Sequence, residues 1–272
     1  MYKTILVHVD VKPGASERAQ LAVDLARRFA ARLIGLAAAL PRPPVEAITA
    51  GVMDASILQL ERNEITKDFK AAEDHFRSAA AGSGVALEWR MADNFPTLAL
   101  AEAADAADLV IVGRPESGLL ANDYLTADPG DLVMRAGRPI LIAPSGQSRL
   151  EARRVLVAWK STREARRAIS DAMPFLKRAE TVNLVEIRES GEASSLADPE
   201  AFLAAHGVTV RGEAVDRGGA TIEARLSAFA EREKADLIVA GGYGHTRIRE
   251  LVFGGVTRSL IGSSPLPCLL SH

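Results

Sequence analysis

A repeated segment is the feature of this sequence that most restricts its fold. Residues 107–113 read Ala-Asp-Leu-Val-Ile-Val-Gly, and residues 235–241, which lie 128 positions later, read Ala-Asp-Leu-Ile-Val-Ala-Gly. The same offset places Pro-Ile-Leu at 139–141 onto Pro-Cys-Leu at 267–269. Near the start of the chain, Ile-Leu-Val at 5–7 matches Val-Leu-Val at 155–157 with an offset of 150. Three segments thus recur in the same order and with similar residues, which indicates a duplicated unit.

The duplication divides the chain into two copies. The second copy is 22 residues shorter than the first, because the offset falls from 150 to 128 between the matched segments. Residues 144–148 read Pro-Ser-Gly-Gln-Ser, which is the composition of a linker. We therefore predict one domain over residues 1–144 and a second over residues 152–272, each long enough to have its own core.

Charge and composition exclude several classes of partner. The 272 residues include 33 basic and 35 acidic side chains, so the chain lacks the basic excess on which binding to nucleic-acid backbones depends. No stretch reaches the roughly 18 unbroken apolar residues of a membrane span. The single cysteine, Cys268, cannot form an internal disulfide. We expect a cytoplasmic globular protein that binds neither nucleic acid nor membrane.

Short apolar segments alternate with helical patterns in both copies. The first copy is predicted to have strands at 4–9, 33–40, 85–89, 109–112 and 140–143. The second copy is predicted to have strands at 153–159, 181–188, 207–215, 237–240 and 267–271. The strands at 109–112 and 140–143 are apolar on both faces, as buried parallel strands are. This order predicts an α/β fold with two tandem, doubly wound domains around parallel sheets.

Ligands of open α/β sheets bind beyond the carboxyl ends of the strands. In the second copy, one strand end is followed by Gly241, Gly242 and Gly244, and Gly254 and Gly255 then interrupt a helical pattern predicted over 247–262. Glycines in such a loop let backbone N–H groups point at one phosphate. Each glycine inside a helix costs about 1 kcal/mol relative to alanine, and close approach to a ligand would explain that cost. A tight turn with a close helix contact explains the same glycines without a ligand.

The spacing Gly241-x2-Gly244-x9-Gly254 resembles the nucleotide signature of the universal stress protein family, Gly-x2-Gly-x9-Gly-(Ser/Thr). Residues 243–247, 251–258 and 267–270 are similar to that family as well, and the resemblance covers both copies. It implies the tandem form of the family. In that form each domain is Rossmann-like, of the adenine nucleotide alpha hydrolase-like type, with a five-stranded parallel sheet.

The resemblance also implies ATP as the cofactor, bound by the second copy. The implied contacts come from the glycine loop, the residues after it and the end of the first strand of that copy: Gly241, Gly244, His245, Gly254, Gly255, Val256, Thr257, Ala158 and Lys160. Gly241 and Gly244 would hold the phosphates, and Gly254 and Gly255 would admit the triphosphate or the ribose. The sequence identifies no metal-ligand spacing and no catalytic residue, and it leaves the need for Mg²⁺ open.

Two positions of the second copy depart from the family pattern. Gly255 stands where the family has Ser or Thr, so one hydroxyl donor is missing, and Thr257 offers another. Lys160 stands where the family has an Asp that faces the nucleoside. An ammonium group there could reach a phosphate as a point charge, or it could be a solvated loop residue.

The first copy departs further from the pattern. It retains Asp10 and Gly113, but Pro115 removes a backbone N–H donor and Glu116 would place a carboxylate against a phosphate. Thr126-Ala127 replaces the Gly254-Gly255 pair. We therefore predict that the first copy does not bind phosphates and that Asp10 faces an empty cleft, so the chain binds at most one nucleotide.

Three other residues are predicted to be structural. His8 is expected to be a half-buried, hydrogen-bonded histidine, and Cys268 an inert core thiol. Trp159 is expected to be a core residue at the sheet edge, although it could flank an adenine. Residues 161–164, Ser-Thr-Arg-Glu, predict a capping box at the start of the next helix.

The resemblance implies a stress-response module that binds or senses an adenine nucleotide without rapid turnover, with weak ATPase activity still open. A nucleotide-free interaction scaffold and an ATP-using enzyme of the α/β class are the alternatives. Single-unit members of the family pair through their last strands, and proteins normally cover a short apolar edge strand. We therefore predict that 139–143 and 267–271 lie antiparallel in an intramolecular pseudo-dimer, with homodimerisation as a further option.

Overall fold

The computed structural model describes residues 1–42, 55–115, 123–243 and 255–272. In these ranges the first copy has the strands β1 Thr4–His8, β2 Arg32–Ala38, β3 Leu87–Ala92, β4 Leu109–Gly113 and β5 Ile140–Ala143. Its helices are α1 Ala15–Phe29, α2 Ala55–Ala79, α3 Pro96–Ala103 and α4 Pro129–Arg135, and a 3₁₀ turn at Ala104–Ala106 follows α3.

The second copy repeats this alternation of strands and helices. Its strands are β6 Arg154–Trp159, β7 Thr181–Arg188, β8 Val210–Asp216, β9 Leu237–Gly241 and β10 Cys268–Ser271. Its helices are α5 Arg163–Leu176, α6 Ala197–Ala205, α7 Ile222–Arg232 and α8 Gly255–Gly262.

The described strands form one ten-stranded sheet in the order β3-β2-β1-β4-β5-β10-β9-β6-β7-β8. All neighbouring strands of the same copy are parallel. The two copies also agree in register, because Ile5 lies beside Leu109 just as Val155 lies beside Leu237. The predicted α/β class, with a parallel sheet in each copy, is confirmed.

The sheets of the two copies join through their final strands. β5 and β10 are antiparallel, and Leu141 pairs with Leu269 at the centre of the contact. The predicted pairing of the last strands is confirmed. The pairing leaves neither short apolar strand as an exposed edge, since each acquires a neighbour on its second side.

Burial follows the apolar pattern of the sequence. Val110 and Ile111 are successive residues of β4, so they point to opposite faces of the sheet, and both are fully buried. Helix α1 covers one face with a stripe that includes Leu21, Leu25 and Phe29, all of them also fully buried. The sheet is therefore a middle layer with helices on both sides, and its carboxyl-end loops are the place where a site is expected.

An aromatic cluster also connects the two copies. The rings of Tyr2 and Phe29, from the first copy, lie 5.7 and 5.2 Å from the ring of Phe175 in α5, all in edge-on arrangements. The Tyr2 hydroxyl donates to the Asp171 carbonyl oxygen at 2.6 Å, and the Arg178 guanidinium lies 4.9 Å from the centre of the Phe29 ring. The two cores therefore share side chains in addition to a strand pairing.

Several predicted boundaries are displaced. The strand predicted at 85–89 is observed at Leu87–Ala92, because pairing with β2 begins where Leu33 meets Leu87. The strand predicted from 207 begins at Val210, since Gly207 adopts φ 78° in the turn after α6. Of the helix predicted over 247–262, the described part is Gly255–Gly262.

No helix in the described part of the chain is long and apolar enough to cross a membrane.

Candidate functional site

A cavity of about 770 Å³ opens at the carboxyl edge of the second copy. It lies between the ends of β6 and β9 and the beginnings of α5, α7 and α8, which is where ligands of open α/β sheets bind. Its walls include six of the predicted site residues, namely Ala158, Lys160, Gly241, Gly255, Val256 and Thr257. Its size falls within the usual range for ligand sites, about 300–1,000 Å³.

Gly241 ends β9 directly against the start of α5. A Cβ placed on Gly241 would lie 2.6 Å from the backbone nitrogen of Ala165 and 2.7 Å from the carbonyl carbon of Glu164. Both atoms belong to the backbone and cannot rotate away, so the close packing of strand on helix requires glycine here. The packing contact is thus a sufficient reason for this glycine, whether or not a ligand is bound.

Helix α5 is capped one residue later than the sequence predicts. Thr162 is the N-cap, and its hydroxyl accepts a hydrogen bond from the Ala165 N–H at 3.3 Å. Glu164 therefore occupies the second helical position, and the capping box predicted to begin at Ser161 is wrong. The correct cap places Thr162 and Ala165 on the cavity wall.

Thr257 connects α8 to the loop that follows β9. Its side chain is buried, and its hydroxyl accepts from the Tyr243 N–H at 3.4 Å. Tyr243 has the left-handed value φ 55°, which a non-glycine residue seldom adopts. The Thr257 hydroxyl therefore binds the backbone of this loop.

Gly255, the first described residue of α8, lies against a side chain from another helix. A Cβ on Gly255 would overlap the carboxylate of Glu223, which belongs to the first turn of α7. Glu223 also lines the cavity. The sequence alone did not identify Glu223, because it is 32 positions from Gly255 and no motif includes it.

The end of β6 supplies Ala158, Trp159 and Lys160 to the cavity wall. Trp159 is buried, as predicted for a core residue, but its predicted position at the sheet edge is wrong, because β6 lies between β9 and β7. Its indole N–H donates to the Ser195 hydroxyl at 2.9 Å, and the Ser195 N–H donates to the Glu186 carboxylate at 3.0 Å. This chain of hydrogen bonds fixes the indole beside the cavity.

Three predicted site residues, Gly244, His245 and Gly254, lie outside the described residues. Their predicted contacts with a nucleotide stay predictions.

The corresponding cleft of the first copy is smaller, with a volume of about 350 Å³. Arg18 of α1 reaches into it, and a Cβ on Gly113 would overlap the Arg18 guanidinium. That guanidinium donates to the carbonyl oxygen of His8 at 2.8 Å and to the carboxylate of Asp10 at 2.9 Å. The retained Asp10 lines this cleft, as expected, and is engaged by an internal cation. That the cleft binds no nucleotide stays a prediction.

Arg18 is a second residue that the sequence analysis missed. It lies on the buried stripe of α1, between Ala15 and Ala22, and is 6% exposed. A charged residue on an otherwise apolar stripe is a signal that could have identified it, because a buried guanidinium requires partners. Glu116, which was also expected to spoil this cleft, lies outside the described residues.

The electrostatics of the first cleft follow from burial. Burial lowers the pKa of His8 to about 4, so its imidazole is neutral at pH 7. For Asp10, burial alone would raise the pKa, but the neighbouring Arg18, His8 and Lys12 outweigh it and lower the pKa. His8 is 4% exposed, so the expectation of a half-buried histidine is wrong. Its Nδ1 lies 3.6 Å from the Asp10 carboxylate, and its Nε2 has no partner among the described residues.

The sequence profile of the universal stress protein family matches residues 1–135 and 151–272. The chain belongs to the universal stress protein family. The two matched segments correspond to the two copies, so the protein has the tandem form of the family. No curated protein sequence matches it.

Solved structures resemble this universal stress protein in fold. A universal stress protein from Archaeoglobus fulgidus DSM 4304 is 17% identical, with a TM-score of 0.73 over 98% of this chain and 95% of that one. A functionally unknown protein from Pseudomonas aeruginosa PAO1 is 16% identical, with a TM-score of 0.61 over 99% of this chain and 92% of that one. At these identities the likeness establishes the fold alone, and the function must be argued from the site.

Proposed function

We propose that this universal stress protein binds an adenine nucleotide in the cavity of its second copy and does not turn it over rapidly. The observation that supports the proposal most directly is the 770 Å³ cavity, which the glycine-motif residues Gly241 and Gly255 border at the carboxyl ends of β6 and β9. A nucleotide is the ligand that such a loop-and-helix arrangement suits best, since backbone N–H groups and helix starts attract phosphate.

The remaining walls suit the two ends of a nucleotide. Val185, Ile187 and Leu226 give one side of the cavity an apolar surface on which a base can pack. Lys160 is exposed at the mouth, where its ammonium group can approach a phosphate. The family resemblance implies that the nucleotide is ATP. The binding experiment must decide whether it is ATP and whether binding needs Mg²⁺.

We propose one nucleotide per chain. The first cleft has less than half the volume of the second, and Arg18 reaches into it and pairs with Asp10. Pro115, which offers no N–H, lies on its wall. A ligand there would have to displace a buried guanidinium that already has its hydrogen-bond partners.

We propose binding rather than catalysis as the biochemical role. The nine candidate residues are glycines and other small or apolar residues, one hydroxyl, one imidazole and one ammonium group, without the paired acid and base that hydrolysis usually requires. A steady-state hydrolysis rate near the common enzyme value of about 10 s⁻¹ would refute this part of the proposal.

The pairing of β5 with β10 supports a related proposal about organisation. We propose that residues 1–144 and 152–272 are the two domains and that the chain is an intramolecular pseudo-dimer. A protein that is monomeric in solution by light scattering fits this proposal, and a homodimer would add a second interface to it.

The test begins with the purified protein. Denaturation should release an adenine nucleotide that chromatography and absorbance identify, or the nucleotide-free protein should bind one in titration calorimetry. If neither occurs, the interaction-scaffold alternative replaces the binding proposal.

The location is tested by a matched pair of variants. Lys160→Met and Lys12→Met each remove one ammonium group, the first from the cavity of the second copy and the second from the cleft of the first copy. Charge-assisted hydrogen bonds contribute about 1.5–3 kcal/mol, so Lys160→Met should weaken binding at least about tenfold. Lys12→Met should leave the affinity unchanged, and equal losses in both variants would contradict the placement.

A further inference from the structure

Glu223 brings a negative charge to the part of the cavity where the glycine motif ends. It is the second residue of α7, whose first turn is capped by Thr221: the Thr221 hydroxyl accepts from the Ala224 N–H at 3.2 Å. The cap fixes the start of the helix, and the start of the helix places the Glu223 side chain toward α8. The carboxylate therefore lies between the first turns of two helices that both border the cavity.

The carboxylate occupies the space of a missing side chain. In the conformation that the Glu223 side chain adopts here, a Cβ on residue 255 would overlap one of its carboxylate oxygens. The family signature has a hydroxyl-bearing residue at this position, and here a carboxylate from a different helix fills that space. A group that can donate a hydrogen bond to a phosphate is thus replaced by a group that can only accept one when ionised.

The described part of the wall also carries two cations, Arg217 and Lys160. The Arg217 guanidinium, which also lines the cavity, pairs with Glu189 at 2.8 Å. Lys160 lies at the end of β6, whereas Glu223 lies at the start of α7. A ligand can therefore meet a cation at the β6 side of the cavity and an anion at the α7–α8 side.

We propose that Glu223 is a specificity-determining residue and that the cavity accepts an adenine nucleoside or nucleoside monophosphate in preference to a triphosphate. This inference rests on the proposed function and names its ligand class. One phosphate can lie on the Lys160 side, whereas a longer chain extends toward Glu223. Two like charges about 4 Å apart in a partly desolvated site repel strongly enough to change affinity by tenfold or more.

The experiment measures adenosine, AMP and ATP by titration calorimetry with EDTA present, for the wild type, Glu223→Gln and Glu231→Gln. Glutamine has the shape of glutamate without its charge, so Glu223→Gln tests the charge alone. Glu231 is an exposed residue of the same helix, about 12 Å further along its axis, and controls for a general change in helix charge. Thermal unfolding of each variant verifies that it is folded.

We expect the wild type to bind AMP at least about tenfold more tightly than ATP. Glu223→Gln should improve ATP binding about tenfold and change adenosine binding by less than about threefold, while Glu231→Gln should behave as the wild type. A wild type that binds ATP as tightly as AMP, or a Glu223→Gln variant with an unchanged ratio, would overturn the inference and leave the proposed function intact.

Two further outcomes separate the proposals. If Mg²⁺ restores tight ATP binding to the wild type and Glu223→Gln loses it, the carboxylate recruits a cation and the inference is wrong. If neither the wild type nor Glu223→Gln binds any of the three compounds, the proposed function fails and the inference fails with it.

Discussion

Replacing Phe175 by alanine should destabilise both copies, although the residue belongs to the second. Its side chain is 1% exposed and packs edge-on against the rings of Tyr2 and Phe29 of the first copy. Truncating a buried phenylalanine usually costs about 3–5 kcal/mol, and each aromatic pair adds about 0.5–1.5 kcal/mol beyond the buried area. Because Phe175 takes part in two such pairs, we expect a loss of about 4–5 kcal/mol.

The measurement is unfolding by guanidinium chloride, followed by tryptophan fluorescence in two single-tryptophan backgrounds. Trp89 is on β3 of the first copy and Trp159 is on β6 of the second, so Trp159→Phe and Trp89→Phe each leave one reporter. The Phe175→Ala change should lower the midpoint that either tryptophan reports, because the lost contacts extend across the boundary between the copies.

Phe202→Ala is the control, since Phe202 lies in the same copy but is 41% exposed. It should change stability by less than about 1 kcal/mol, as exposed substitutions usually do. A loss below about 2 kcal/mol for Phe175→Ala, or a midpoint of the Trp89 reporter that does not move, would refute the argument that this cluster couples the two cores.

Two further predictions concern titratable groups. Burial raises the pKa of Cys268 to about 11. A thiol reagent at pH 8 should therefore modify the native protein at least about a hundredfold more slowly than the denatured chain. Equal rates would show that the thiol is accessible. The pKa of His8 is about 4 when folded and about 6.5 when unfolded, so the unfolded chain takes up a proton first as pH falls. Stability should be full above pH 6.5 and should fall by up to about 3 kcal/mol towards pH 4; the lowered pKa of Asp10 adds a loss in the same direction at lower pH. His8→Gln should flatten the pH 4–6.5 part of this profile in chemical denaturation, and an unchanged slope would contradict the assignment.

The repeat and the apolar alternation were enough to predict the architecture. The offset of 128 between the matched segments reappears in the sheet, where Val110 pairs with Ile140 and Ile238 pairs with Cys268. Strand ends were less predictable at the outer strands β3 and β8, which have a neighbour on one side only. There the limits depend on where the partner strand begins and on single turn residues such as Gly207.

The candidate site was predictable only for residues that lie close together in one sequence segment. Gly241, Gly255 and Thr257 follow one strand in sequence, so their spacing placed them together. Glu223 and Arg18 reach the two clefts from other helices, and their positions depend on side-chain direction and helix packing. A sequence pattern can predict that a residue is on a helix, but it does not predict which loop of the folded chain the side chain of that residue contacts.

One position of the shared fold contributes to the difference between the two clefts. At the offset of 150, Arg18 of α1 corresponds to Ala168 of α5, which is 1% exposed. In the first copy the long side chain fills the space beside Gly113 and neutralises Asp10, whereas in the second copy Gly241 meets the helix backbone and the space beyond it stays open. The carboxylate that the first copy retains therefore pairs with the arginine of its own helix, and we propose that a ligand binds to the copy whose helix carries alanine.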